Sequence, residues 1–372
     1  MAPTQDALYE AIDLDLSWSE GELPQHRRTR HVHGLHPYLG KFVPQLVETL
    51  LARHLPHGGR VLDPFAGSGT TLVQALESGL DATGADIAAF NCLLMRVKTR
   101  RYDVAELEHE LLDAYARWEG GDGDAGPKPA YVREWFAPMA GEELLRFRSL
   151  VGEYAHADVL RVVLARAARS ARLTTHFDLD FPRVPQLDRY WCHKHRRECR
   201  PVERAGQFLR RYTYDTLARI AAFDATRDRG RVADVRHGDA RTLGFGGCFD
   251  AVETSPPYPG LIDYHGQHRY AYELLGLDDL GAAEIGSPAG GTSRAALGRY
   301  VDDVAGVLAN ARDHLRDGAP MVVVIGDRRD LYPEVLQRAG LTLEERRRRH
   351  VNRRTGRRAG EFFEDVLVAR AA

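Results

Sequence analysis

Lysine is scarce. Of 51 basic residues only Lys41, Lys98, Lys128 and Lys194 are lysine, and the rest are arginine. Beside abundant Ala and Gly, this reads as coding bias toward GC-rich codons, so arginine-rich stretches carry less functional meaning than usual. Cysteine is scarce too. Cys92, Cys192, Cys199 and Cys248 fall at irregular spacing, which argues against a disulfide framework and predicts a reducing, cytoplasmic setting. No run of about 18 apolar residues occurs, so no membrane-spanning helix is expected. The start, "MAPTQDALYEAIDLDL", lacks the basic-then-apolar order of a secretion signal. Formal net charge is only −2, so bulk charge does not mark a nucleic-acid binder and its distribution matters more.

What is present is an alternation of short apolar strands and helices. "FVPQLVETLLARHL" (42–55) has apolar residues at helical spacing. After it come the strand "RVLDPF", a Gly-rich turn, a helix over 70–79, the strand "DATGAD" (81–86) and a helix from about 87 to 100. This order predicts a parallel α/β sheet. The pattern stops near residue 101, and helices dominate from about 131 to 225. Strands resume at 232–240, 249–255 and 319–327, with 342–351 and 364–370 as the last two. The expected organisation is one α/β core in two parts, 1–100 and 231–372, interrupted by a mainly helical insertion at 101–230.

Two stretches stand out in the core. In "VLDPFAGSGTT" (61–71) Asp63 ends a strand, Gly67 and Gly69 form a turn, and a helix starts at Thr70. Glycine permits positive φ and close approach of backbone to a ligand. The spacing is neither G-x-G-x-x-G nor a P-loop, since no G-K-[ST] follows. About 20 residues on, Asp86 closes the next strand, where an acid can bond ribose hydroxyls. An ordinary strand–helix turn would explain a lone glycine pair; Asp63, Pro64, Phe65 and Asp86 in register point to a cofactor. The second stretch is "ETSPPYPGLIDY" (253–264), directly after the strand "FDAVE". Pro256 and Pro257 cannot extend a sheet and must stiffen the loop that carries Ser255 and Tyr258.

"DPFAGSGTT" paired with "TSPPY" resembles the amino-group DNA methyltransferases that use S-adenosylmethionine. The likeness covers roughly residues 30–100 and 230–370. It implies an α/β fold, a Rossmann-like class I methyltransferase sheet with a mainly helical insertion. It also implies that Asp63, Pro64, Phe65, Gly67, Ser68, Gly69 and Thr70 hold the methionine part of the cofactor, Asp86 its ribose and Asp239 its adenine. His36, Pro37, Tyr38, Lys41 and Phe42, in "HPYLGKFVPQLV" (36–47), resemble the segment that closes over the methionine end. DNA is the implied partner, and a restriction endonuclease a possible second one.

The chemistry explains the prolines. An exocyclic amino nitrogen is a poor nucleophile, because its lone pair is delocalised into the ring. The Ser255 hydroxyl and Pro256 carbonyl are the candidate acceptors for its hydrogens, held by Pro256 and Pro257 as fixed dipoles. Tyr258 is the candidate stacking face for a flipped base. In the family, serine at the first loop position goes more with cytosine N4 and aspartate with adenine N6, so cytosine N4 is favoured. Adenine N6, a base in RNA, and an inactive nucleic-acid-binding module are the alternatives. No cysteine lies in a Pro-Cys loop, so no covalent intermediate is expected. Asp263, Tyr264, His265 and His268 either line the base pocket or pack a helix starting near Gln267.

Only about 16 residues separate Asp239 from Ser255, which leaves the insertion as the sizeable candidate for target recognition. Within it, Cys192, His195 and Cys199 at i, i+3 and i+7 would share a helix face and suit zinc. A fourth ligand is not visible nearby; His193, His176 and Cys248 are options, and small cysteines packed on a helix are the other reading. Residues 188–212 also hold eight Lys/Arg beside Tyr190 and Trp191, suited to phosphate contacts and stacking, or to a solvated face. "RRRRHVNRRTGRR" (346–358) carries eight arginines and no acid, and is expected as an edge strand and turn able to track a DNA backbone.

Overall fold

A computed structural model describes residues 12–19, 21–351 and 362–372. They divide into a core unit within Met1–Thr99, Thr226–Asp263 and Ala282–Ala372, and a second unit of Arg100–Ala225 with Tyr264–Gly281.

The core begins with α1 (Pro44–His54), which has proline in its first turn and buries Leu46, Val47, Leu50 and Leu51. Proline there loses no helical hydrogen bond. The chain continues through β1 (Arg60–Asp63), α2 (Thr70–Glu77), β2 (Asp81–Asp86) and α3 (Ala89–Thr99). It then enters the second unit with α4 (Val104–Glu119), α5 (Pro138–Leu150), α6 (Ala157–Ala171), a short ribbon of β3 (Tyr190–Cys192) and β4 (Arg197–Cys199), and α7 (Gly206–Asp224). Back in the core come β5 (Ala233–His237) and β6 (Ala251–Thr254). After α8 (Arg269–Leu275) in the second unit, the core closes with α9 (Arg294–Arg312), β7 (Met321–Ile325), α10 (Tyr332–Arg338), β8 (Leu341–His350) and β9 (Phe363–Ala371).

The seven-stranded sheet runs β5-β2-β1-β6-β7-β9-β8. β5, β2, β1, β6 and β7 are parallel, and β9 is antiparallel to both its neighbours. Side chains alternate across the strands, and both faces are covered. In β7, Met321, Val323 and Ile325 join the cluster with Val304, Leu308 and Leu336, while Val322 and Val324 join Leu46, Leu50 and Val366. The chain winds outward from β1 to β2 and β5 on one side and from β6 to β7 on the other. The carboxyl ends of β1 and β6 therefore flank a topological switch point, where open α/β sheets hold ligands.

The insertion leaves and rejoins the core at adjacent points. Buried Arg227 donates from Nη1 to the Thr99 carbonyl at 2.7 Å, so the last residue of α3 is tied to the start of the return segment. Inside the second unit, Glu143 of α5 accepts from Ala205 N at 2.6 Å and Gly206 N at 3.0 Å. That carboxylate satisfies N–H groups otherwise orphaned at the start of α7, and its charge suits the helix end.

Two sequence expectations need correction. Residues 188–205 are not helical: Tyr190–Cys192 and Arg197–Cys199 pair antiparallel, with Arg196 at φ +50 in the turn between them. Cys192, His195 and Cys199 therefore share a hairpin and not a helix face. The arginine run divides. Arg346, Arg347, Arg348 and Arg349 lie in the edge strand β8, and each faces a carboxylate, from Asp365, Asp13, Asp365 and Glu364 respectively. Charge paired in this way does not support phosphate tracking by these four. Residues 352–358 lie outside the described residues.

Candidate active site

The turn after β1 is built around glycine. Gly67 and Gly69 adopt φ +52 and +81. A Cβ on Gly67 would sit 3.0 Å from Tyr38 Oη, and one on Gly69 only 2.7 Å from Met95 Cγ. Both positive φ and crowding thus call for glycine. Asp63 organises the turn from below. Its buried carboxylate accepts from Phe65 N at 3.1 Å and from the Thr71 and Thr254 hydroxyls at 2.6 Å each. Thr254 is the last residue of β6, so one carboxylate ties the glycine turn to the start of the Ser-Pro-Pro-Tyr loop. Burial pushes the Asp63 carboxyl up to about 6, against those three hydrogen bonds, which favour the ion.

Lys98, a residue the sequence reading did not single out, completes the turn. It is fully buried on α3 and donates from Nζ to the Ser68 carbonyl. Burial, and secondarily the nearby Lys41, hold its ammonium well below the usual lysine range. Lys41 makes the same kind of contact, to the His33 carbonyl. Two of the four lysines in an arginine-biased chain thus sit at this site, a signal the composition did offer.

At the end of β2, Asp86 accepts from Gly67 N at 2.9 Å and Ala88 N at 2.7 Å. Asn91 Nδ2 bridges Asp86 and the Tyr38 hydroxyl, at 3.1 and 3.2 Å. This draws the 36–42 segment to the glycine turn. His36 is buried edge-on to Phe90, with ring centroids 5.2 Å apart, whereas Pro37 is exposed and Phe42 packs into the apolar core beneath. Gly238 N donates to the Asp86 carbonyl at 3.1 Å, which brings Asp239 to the neighbouring strand end. Its carboxylate is held by Arg241 through Nε at 3.0 Å and Nη2 at 2.6 Å. That guanidinium keeps the Asp239 carboxyl below its usual range.

The loop after β6 is fixed at Ser255, Pro257 and Tyr258. Ser255 Oγ donates to the Val324 carbonyl at 2.9 Å. The Pro257 carbonyl accepts from Tyr300 Oη at 3.0 Å, which in turn lies 3.1 Å from Tyr332 Oη. Tyr258 donates to Glu364 Oε1 at 3.0 Å, and Arg349 holds the other oxygen of Glu364 at 2.8 Å. Gly326 leaves room for the Tyr258 ring, since a Cβ there would come within 3.3 Å of Tyr258 Cε2 and 3.0 Å of Phe362 Cζ. Burial and the Glu364 charge push the Tyr258 phenol well above its ordinary range. His265 and His268, by contrast, are buried in the second unit.

The turn fits a polar, nucleoside-bearing methyl donor. Among the described residues, the buried Ser68 Oγ and Asn91 Oδ1 have no hydrogen-bond partner. Native proteins rarely leave such groups unpaired unless a ligand or solvent completes them.

A mostly parallel sheet with a glycine turn and a Pro-Pro-Tyr loop at its switch point is the Rossmann-like class I arrangement expected of a methyl-transferring enzyme. Known proteins narrow this further. A family model described as DNA methylase, for the N6 and N4 class, matches residues 10–95. The Type II methyltransferase M.MjaII of Methanocaldococcus jannaschii is 32% identical, over 96% of this chain and 83% of its own. The Type II methyltransferase M.MvaI of Kocuria varians is 24% identical over 38% of this chain and 34% of its own. Among solved structures, the rRNA methyltransferase aviRa of Streptomyces viridochromogenes aligns over 94% of both chains with 15% identity and a TM-score of 0.37. The chain belongs to the Type II DNA methyltransferase family, in its N4/N6 amino-methylase class. Its cofactor is S-adenosylmethionine and its substrate DNA.

Proposed function

We propose that the protein methylates N4 of cytosine in DNA, with Ser255, Pro256, Pro257 and Tyr258 as the catalytic loop. The observation that carries this reading is the Ser255 hydrogen bond to the Val324 carbonyl. A hydroxyl has one hydrogen; spending it on Val324 leaves the Ser255 lone pairs to accept from an amino group. An aspartate there would face the carbonyl with a second acceptor, so the position is built for serine, the residue associated with cytosine. The Pro256 carbonyl takes the second amino hydrogen, and Tyr300, anchored on the Pro257 carbonyl, keeps the acceptors from swinging. Two acceptors that draw the amino hydrogens toward tetrahedral geometry take the nitrogen lone pair out of conjugation with the ring. The lone pair is then free for in-line attack, after which one amino hydrogen leaves as a proton to solvent. The cofactor, when bound, supplies an electrophilic sulfonium methyl group.

For the cofactor, the assigned contacts are the backbone of Asp63 through Thr70 with the 36–42 segment at the methionine end, Asp86 at the ribose and Asp239 at the adenine edge. The unpaired Ser68 Oγ and Asn91 Oδ1 support this placement. Asp86→Ala is expected to raise the dissociation constant for S-adenosylmethionine roughly 10- to 100-fold, the worth of a lost charged hydrogen bond or two. Isothermal titration would show it, and an unaltered constant would sink the ribose assignment. The insertion is assigned the reading of the target sequence.

Base identity is tested by mass spectrometry of nucleosides from DNA of cells expressing the protein, beside a Ser255→Ala control. N4-methylcytosine that appears with the intact protein and vanishes with the variant is the expected result. N6-methyladenine in its place would move the assignment to adenine.

A further inference from the structure

Residues 175–204 of the second unit are short of core. Of these thirty positions only Cys192 is buried, while Phe177, Val184, Leu187 and Trp191 are all more than half exposed. Two three-residue strands joined by a turn are not stable on their own, and a segment lacking apolar burial needs a cross-link. The structure gathers the groups for one. His176, Cys192, His195 and Cys199 each direct a ligand atom into one place, with all four atoms within 4.8 Å of one another.

The spacing matches a metal. Cys192 Sγ lies 3.6 Å from His176 Nδ1, and Cys199 Sγ 3.5 Å from His195 Nδ1. A zinc tetrahedron with Zn–S of about 2.3 Å and Zn–N of about 2.0 Å has S···N edges of about 3.5 Å. The two histidine rings meet edge to face, with centroids 4.4 Å apart. His176 is also placed by the ribbon itself: its backbone N–H donates to Tyr190 Oη at 3.2 Å. Of the three options for a fourth ligand, His193, His176 and Cys248, the structure brings His176 to the cluster, from the loop sixteen residues before Cys192.

We propose that these four residues bind one structural zinc ion, which staples the 175–204 segment to its ribbon. Two thiols and two imidazoles in tetrahedral array suit zinc over harder cations. Each cysteine gives up its proton on binding, so two protons are released and two thiolates balance the dication.

The test is metal analysis of the full chain purified without chelator. The expected result is one zinc per chain, lost in Cys192→Ser and Cys199→Ser and retained in Cys248→Ser, an exposed thiol of the core unit. Should the buried Cys192 variant fail to fold, His195→Ala answers the same question, since His195 is exposed; it too should lose zinc. Replacement by cobalt should give the intense visible bands of a tetrahedral thiolate site. Protein without zinc that takes up none on addition, an octahedral cobalt spectrum, or a Cys192–Cys199 disulfide in the intact mass would each overturn the proposal.

Discussion

Tyr258→Ala is expected to lower kcat/KM for methyl transfer roughly 10- to 100-fold, the worth of one aromatic stack on a base, while S-adenosylmethionine binding changes little. The ring lies on the loop after β6, away from the hydrogen bonds that shape the glycine turn, so its loss should leave that turn intact. Its hydroxyl is anchored to Glu364, and Tyr258→Phe separates the two contributions. Phenylalanine keeps the face but leaves Glu364 Oε1 without its donor, so a smaller loss is expected. A 2-aminopurine at the target position should report weaker base extrusion with alanine and near-normal extrusion with phenylalanine. Unchanged turnover in Tyr258→Ala would remove the stacking role.

The second large effect is expected at Asp63. Asp63→Asn presents an amide where the carboxylate now accepts from Thr71, Thr254 and Phe65, so one hydroxyl faces a donor. A buried donor left unsatisfied costs about 1–3 kcal/mol, and the misplacement reaches both loops at once. A loss of about 10²-fold in kcat/KM is the expected scale for a displaced catalytic group. Stability should change its pH dependence as well. The carboxyl titrates near 6 in the fold against an ordinary 3.8, and burial beside Asp63 pushes Glu253 in the same direction. A raised folded value means that the native state holds the proton more tightly. The stabilisation is therefore complete below about pH 4 and lost as pH rises through about 6, by up to about 3 kcal/mol for Asp63. Urea unfolding at pH 4.5 and 7.5 should show a larger drop for the wild type than for Asp63→Asn. Equal drops would mean that Asp63 is ionised throughout.

Much of the core was legible because strands buried on both faces read as apolar runs between turn residues. "DATGAD" spans β2 residue for residue, and "TTLVQALE" carries α2. The two loops were legible because proline and glycine constrain the backbone wherever they occur. The contacts that hold the loops were not. Lys98 looks in sequence like one polar residue at the end of a helix, and only tertiary packing buries it under the Ser68 carbonyl. Tyr258 and Glu364 are 106 residues apart, beyond any local pattern. The ribbon was misread as helix because three-residue strands are too short to show a period, and offsets of three and four residues suit a helix equally well.

The hydrogen bond from Arg227 to the Thr99 carbonyl has an evolutionary consequence. An excursion of more than a hundred residues that departs and returns through neighbouring, pinned points can be exchanged whole without repitching the sheet. The core would then act as a fixed engine and residues 100–225 as an interchangeable cassette; on the proposed assignment of target reading to that unit, its exchange would change the target sequence. The exchange has one condition. Tyr264–Gly281 folds with that block although it follows the catalytic loop, so a working transplant must carry both pieces together.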